Sequence, residues 1–276
     1  MQYQTLSPIT LVPMFLIWGA ITVIALVLVR RKKLGSRARI LLLIISAAIS
    51  GFLLGAIPNP LLPIQQISNA VGTLKPITTI IPFIIIIGIL LGTSFLVGRA
   101  FCSYACPLGA VQELFSKIKF SSKINKNRTK KIKNRQNNTS KITRWIFLAV
   151  FVILSAFASP VIVRLFNPFM AFSALWNFII PVSLILMGIF IAISITSIFA
   201  YRPWCRFFCP YGALASEFSK KSIIKLRRAG SCTDCGICER ICPTDEAGRG
   251  SAKSECYLCN RCVDACPQNS LEFKRQ

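Results

Sequence analysis

Twelve cysteines stand in a chain of 276 residues that has no histidine. Eight of them fall in the last 45 residues as two copies of C-x2-C-x2-C-x3-C-P: Cys232, Cys235, Cys238 and Cys242 before Pro243, then Cys256, Cys259, Cys262 and Cys266 before Pro267. Three thiolates two residues apart can wrap one corner of an iron–sulfur cubane through a tight loop. The fourth, three residues on and next to proline, is carried toward the neighbouring cube. The pattern predicts two [4Fe–4S] clusters with crossed ligation, Cys232, Cys235, Cys238 and Cys266 for the first and Cys256, Cys259, Cys262 and Cys242 for the second. Zinc also takes C-x2-C pairs, but seldom a third and fourth cysteine at this spacing followed by proline. Crossed ligation lets a segment with almost no apolar core fold around its metal. Only 13 residues separate Cys242 from Cys256, a compact linker.

The other four cysteines form a repeat. Arg99-Ala-Phe-Cys102-Ser-Tyr-Ala-Cys106-Pro107-Leu-Gly109-Ala110 returns as Arg202-Pro-Trp-Cys205-Arg-Phe-Phe-Cys209-Pro210-Tyr-Gly212-Ala213, in a constant register of 103 residues. Each copy continues to Phe-Ser-Lys, and an Asn-Pro precedes each, Asn59-Pro60 and Asn167-Pro168, there offset by 108. Parallel duplication brings the two C-x3-C-P motifs together at one end of the molecule. Four converging thiols could ligate a third Fe–S cluster, form redox dithiols, or pack as reduced thiols.

Absences narrow the chemistry. Without histidine there is no bis-His haem, Rieske ligation or His–metal site, and no haem is expected. Scarce methionine argues against a copper relay. Glu113 and Glu217 are the only acidic residues before the terminal module. They are the candidates for accepting protons from a quinol, with a salt-bridged role as the plainer alternative. Gly88, Gly92 and Gly98 lie in or at the end of an apolar run, where they permit close helix packing. No nucleotide or flavin motif stands out, so electrons must be exchanged with a redox partner protein or a lipid-soluble quinone.

The elements that position these cysteines are apolar helices. Hydrophobic residues make up 54% of the chain, charged residues 15%, and mean hydropathy is +0.60. Five runs, 9–29, 40–57, 77–97, 145–163 and 178–199, carry no charge and approach or exceed the length that crosses a bilayer. The first is not read as a cleaved signal, because no charge precedes it and Arg30, Arg31, Lys32 and Lys33 follow it. Of 33 basic residues, 31 fall in 30–39, 98–144 and 200–276; only Lys75 and Arg164 fall on the other side. This asymmetry predicts a multi-pass protein of the cytoplasmic membrane with its N-terminus outside and all twelve cysteines cytoplasmic, where thiols stay reduced. The net charge of +24 follows that topology, so nucleic acid is not an expected partner. Residues 117–144 read as a disordered basic loop against anionic lipid, with an acidic soluble partner as the alternative.

The expected fold is an integral membrane all-α bundle of about five spans with a two-fold internal repeat, ending in a small α+β two-cluster module. It divides into an extra N-terminal helix (1–36), a first repeat (37–120), a basic cytoplasmic loop (121–143), a second repeat (144–222) and the cluster module (223–276).

The paired C-x3-C-P motifs, the Asn-Pro turns and the terminal cysteine octet together resemble the NapH-type membrane ferredoxins over about residues 40–276. The resemblance implies the membrane component of a quinol dehydrogenase, passing quinol electrons through Fe–S proteins to a terminal reductase. Related chains with the same signature include NosR-type regulators and CcoG-type assembly proteins. The usual member has four spans and a cytoplasmic N-terminus, so the extra first span is a departure, and nitrate as final acceptor is not implied. Two classes of function stand side by side: an electron carrier or quinol dehydrogenase subunit, and an assembly or maturation factor that reduces a metal or thiol on a client.

Overall fold

Uncharged runs of Ile, Leu and Phe set the helices, and proline and glycine set their ends. Ile81–Val97 (α3) is apolar on every face; Pro82 lies in its first turn, where a missing N–H costs nothing. It stops where Gly98 takes φ 68°, a left-handed conformation that glycine reaches without strain. The computed structural model describes residues 19, 36–53, 55, 59–74, 76–118, 130–158, 163, 167–174 and 181–275. The expected first span, 9–29, lies outside these apart from Gly19, as do Lys75 and Arg164.

Before α3 come α1 (Ser36–Ser46), prolonged by π-helical turns over Ala47–Leu53, and α2 (Leu61–Gly72). After it come α4 (Pro107–Ser116), α5 (Lys130–Phe157), α6 (Met170–Ala174), α7 (Pro181–Phe199) and α8 (Pro210–Lys220). α2 packs on α5 so closely that a side chain at Gly72 would strike the Ala156 carbonyl. The outward faces of α1, α3, α5 and α7 expose large apolar residues such as Ile44, Ile85, Ile89, Ile153 and Ile185. The interior holds buried polar groups, among them Ser50, Ser94, Gln112 and Arg99.

Among the described residues one helical stretch, Thr139–Phe157, is long and apolar enough to cross a bilayer by itself; Ile81–Val97 and Ser183–Phe199 are apolar but shorter. The expected basic loop is helical from Lys130, because a helix started at its apolar end propagates back through Lys, Arg and Gln, all good helix formers. The Asn-Pro turns lie beside the cysteines, with Pro60 and Phe169 against them. Asn59 Oδ1 accepts the Leu61 N–H at 3.0 Å and Asn167 Oδ1 accepts the Phe169 N–H at 3.2 Å. These bonds satisfy N–H groups left free at helix starts.

The C-terminal module is α+β. β1 (Ile224–Arg228) pairs antiparallel with β2 (Leu271–Arg275), Leu226 opposite Phe273. Between them lie two short helices, α9 (Ile237–Ile241) and α10 (Arg261–Asp264). Its core is small: Leu226, Leu271 and Ala247 with Cys238, Cys242 and Cys262. The two halves share their backbone strain. Asp234 and Leu258, Gly236 and Asn260, and Asp245 and Asn269 are left-handed pairs, each 24 residues apart like Cys232 and Cys256.

Candidate metal centres

Each C-x3-C-P motif is built by a π-helical turn that a proline ends. Phe101–Ala105 and Trp204–Phe208 carry the first cysteine of each pair. Cys106 N–H donates to the Phe101 carbonyl at 2.9 Å, and Cys209 N–H to the Trp204 carbonyl at 3.0 Å, five residues back in both cases. The second cysteine then turns extended (ψ 119° and 112°), and Pro107 or Pro210 opens the next helix. The extra residue in the π turn re-aims the side chains. As a result Cys102, Cys106, Cys205 and Cys209, all buried, line one small cavity with Pro60, Arg99, Phe169 and Trp204.

That cavity is set for an anionic occupant. Arg99 and Arg202, three residues before each first cysteine, are fully buried and act electrostatically on Cys102 and Cys205. Each crosses to the other repeat: Arg99 Nη2 donates to the Gly212 carbonyl at 2.7 Å, Arg202 Nη1 to the Cys102 carbonyl at 2.6 Å. Gly109 and Gly212 are required here, since a Cβ at either would press on a motif carbonyl and approach the crossing guanidinium. Gln112 bridges the repeats too, donating to Cys205 Sγ at 3.3 Å. Trp204 Nε1 and Arg99 Nε, on residues lining the cavity, are buried N–H groups without a hydrogen-bond partner.

Charge beyond the cavity is shared unevenly. Glu255 takes Arg99 at 2.5 Å and Arg144 at 2.5 Å; Glu113 takes Arg202 at 3.0 Å and Arg261 at 2.9 Å. Four arginines thus share two carboxylates, leaving two positive charges next to four thiols. Burial pushes both carboxyls up, but the paired arginines outweigh it and hold them below the usual range. Glu113 is therefore held ionised and is a poor proton acceptor near neutral pH. Glu217 is exposed and paired with Lys220 at 2.6 Å. Both carboxylates take the salt-bridged alternative.

In the C-terminal module Cys232, Cys235, Cys238 and Cys266 line one small cavity. Cys242 neighbours Cys256, Cys259 and Cys262 electrostatically. Among the described residues no three Cys, Asp or Glu side chains converge enough to chelate a single ion. Arg99, Arg202, Gln112 and Glu255 are the site residues that cysteine spacing alone does not find. The repeat register marks the two arginines; nothing local marks Glu255 or Gln112.

A 4Fe-4S binding domain model matches the chain twice, over residues 79–127 and 179–228. Each window holds one C-x3-C-P motif and excludes the cysteine octet. The ferredoxin-type protein NapH of Escherichia coli is 26% identical over 246 residues, 80% of this chain and 76% of that protein. The chain is similar to the NapH-type ferredoxins. Other relatives include the putative electron transport protein YccM of Escherichia coli, 31% identical over 208 residues (66% of this chain, 53% of YccM). The methylamine utilization ferredoxin-type protein MauN of Methylobacillus flagellatus is 26% identical over 202 residues (70% of this chain, 64% of MauN). The chain thus spans about half of YccM and three quarters of NapH. No solved structure matches it.

Proposed function

We propose that this protein is a membrane-bound 4Fe–4S electron carrier that links a quinol or quinone pool to a redox partner protein, as the membrane component of a quinol dehydrogenase. The observation that carries this reading is the single cavity lined by four cysteines from two repeats. Cys102, Cys106, Cys205 and Cys209 would hold a third [4Fe–4S] cluster beside the two of the C-terminal module. A cubane with four thiolates is a buried anion that exchanges single electrons. The excess of arginine, the unpartnered N–H groups and the three helix N-termini at Leu61, Pro107 and Pro210 all suit it. Burial of all four thiols counts against disulfide exchange with a client, which needs an accessible thiolate.

Lipid is the other partner. The outward apolar faces of α1, α3, α5 and α7 and the one-sided basic residues support a multi-pass bundle with the ferredoxin module in the cytoplasm. Within the bundle, Arg99 and Arg202 neutralise the site, Gln112 and the two glycines hold its frame, and the apolar wall excludes water. Proton transfer from quinol falls to a group other than the ion-paired Glu113.

The test is iron and sulfide analysis of anaerobically purified protein with electron paramagnetic resonance, compared with a Cys102/Cys106/Cys205/Cys209→Ser variant. About twelve iron and twelve sulfide per chain are expected, falling to about eight in the variant, and quinol should bleach the cluster absorbance. About eight in both proteins overturns the third cluster. Full clusters that no quinol reduces overturn the quinol link.

A further inference from the structure

The two cysteine systems touch through their ligand loops; among the described residues the contacts fall on the Cys256–Cys262 loop and, through Arg206 to the Pro243 carbonyl at 3.5 Å, beside Cys242. Between Cys102 and Cys106 lie Ser103 and Tyr104; between Cys256 and Cys259 lie Tyr257 and Leu258. Ser103 Oγ donates to the Tyr257 carbonyl, and Tyr104 Oη donates to the Leu258 carbonyl at 2.8 Å. Arg99 Nη1 donates to Tyr257 Oη at 2.7 Å, and that hydroxyl lies 3.5 Å from the Cys205 carbonyl. Tyr257 is 2% exposed and belongs to the bundle core. The guanidinium carbons of Arg99 and Arg202 lie 4.6 and 4.8 Å from its ring centroid, so one tyrosine is gripped by the equivalent arginine of both repeats.

The equivalent position in the first half is Thr233, between Cys232 and Cys235, and it makes none of these contacts. Cys235 is exposed and Cys232 is partly so. Arg39 adds a second tether to the same half, donating to the Cys259 carbonyl at 3.4 Å and pairing with Asp264. Leu258 holds φ 49°, a strained value for a branched side chain, at the point where Tyr104 grips its carbonyl.

We infer that the second ferredoxin motif (Cys256, Cys259, Cys262 and Cys242) is the half wired to the membrane-edge cysteines, with Tyr257 as the positioning residue between them. The first motif (Cys232, Cys235, Cys238 and Cys266) is the outer terminus that meets a soluble redox partner. Each transfer moves one electron: one site is oxidised by one unit, the next is reduced by one, and no bond forms or breaks. Electron exchange falls steeply with separation, so two ligand loops joined by hydrogen bonds are strongly coupled. This inference rests on the reading that Cys102, Cys106, Cys205 and Cys209 hold a cluster.

Electron paramagnetic resonance of the reduced full-length protein tests it, through the microwave-power saturation of the signal from the membrane-edge site. That signal should relax fast in wild type and in Cys235→Ser, and saturate at several-fold lower power in Cys259→Ser. The reverse pattern overturns the inference. Should either cysteine substitution collapse the module, Tyr257→Phe keeps every ligand while removing the hydroxyl bonded to Arg99. It should shift the midpoint potentials of the membrane-edge and second-motif sites and leave the first unmoved. A shift confined to the first motif overturns the wiring. About twelve iron with coupling to the first motif overturns this inference alone; about eight iron, with no signal lost in the quadruple serine variant, overturns the cluster reading and this inference with it.

Discussion

In the first repeat Arg99, Cys102 and Cys106 are followed seven residues after the last cysteine by Glu113. In the second, Arg202, Cys205 and Cys209 are followed eight residues on by Glu217. One residue on an α-helix turns a side chain by about 100°. Glu113 consequently faces inward, 4% exposed and bound by Arg202 and Arg261, whereas Glu217 faces outward, 44% exposed and paired with a neighbouring lysine. Arg202 finds its counter-charge inside the bundle, while Arg99 must take Glu255 from the ferredoxin module. The duplication kept the frame that holds the thiols and diverged where the frame meets the module above it. Symmetry serves the buried site; asymmetry fixes how the module docks.

The comparison breaks most sharply at Glu255. Glu255→Gln leaves Arg99 and Arg144 buried against a neutral group and should cost about 3–5 kcal/mol. Hydrogen exchange should show the 254–262 loop released from the bundle. Glu113→Gln is next, at about 2–3 kcal/mol, because Arg202 keeps its carbonyl partners and Arg261 is partly exposed. The same carboxyl predicts an acid limb. Its folded pKa is lowered, so its contribution is complete above the unfolded value of about 4.3 and is lost as pH falls through the lowered folded value. Thermal unfolding of wild type against Glu113→Gln should converge as pH drops below that window; a constant gap would refute it.

Gly109→Ala should follow, at about 1–3 kcal/mol, and exceed Gly212→Ala. A Cβ at Gly109 lands on the Cys102 carbonyl, whereas at Gly212 it meets the flexible end of Arg99 at 3.0 Å and the Cys205 carbonyl at 3.1 Å. Chemical denaturation of the pair measures the difference. Glu217→Gln should be the mildest, below about 1 kcal/mol, as for other exposed ion pairs. Equal losses at Glu113 and Glu217 would dissolve the contrast between the repeats.

Much of the ligand frame was legible in the chain. Cysteine spacing needs no tertiary knowledge, because three thiols two residues apart reach one corner locally, and the 103-residue register marks Arg99 and Arg202 as partners. The Asn-Pro turns were legible as a repeat, but their place beside the cysteines was not. An uncharged run says that a segment is buried in something apolar, not where the chain turns back, and Pro60 and Phe169 turn inward to the cysteines. The basic stretch misled similarly: its charge favours solvent, yet the helix of Trp145 and beyond extends back to Lys130.

Sequence by itself determined what these residues can bind: thiolates in fixed local spacing, no histidine, and a duplicated motif whose copies must share one environment. Tertiary structure alone decided which charges meet. Glu255 and Arg99 are 156 residues apart, and Tyr257 reaches both repeats at once. Local spacing fixes bonds within a loop, whereas a buried ion pair exists only after the fold has removed both partners from water and brought them together.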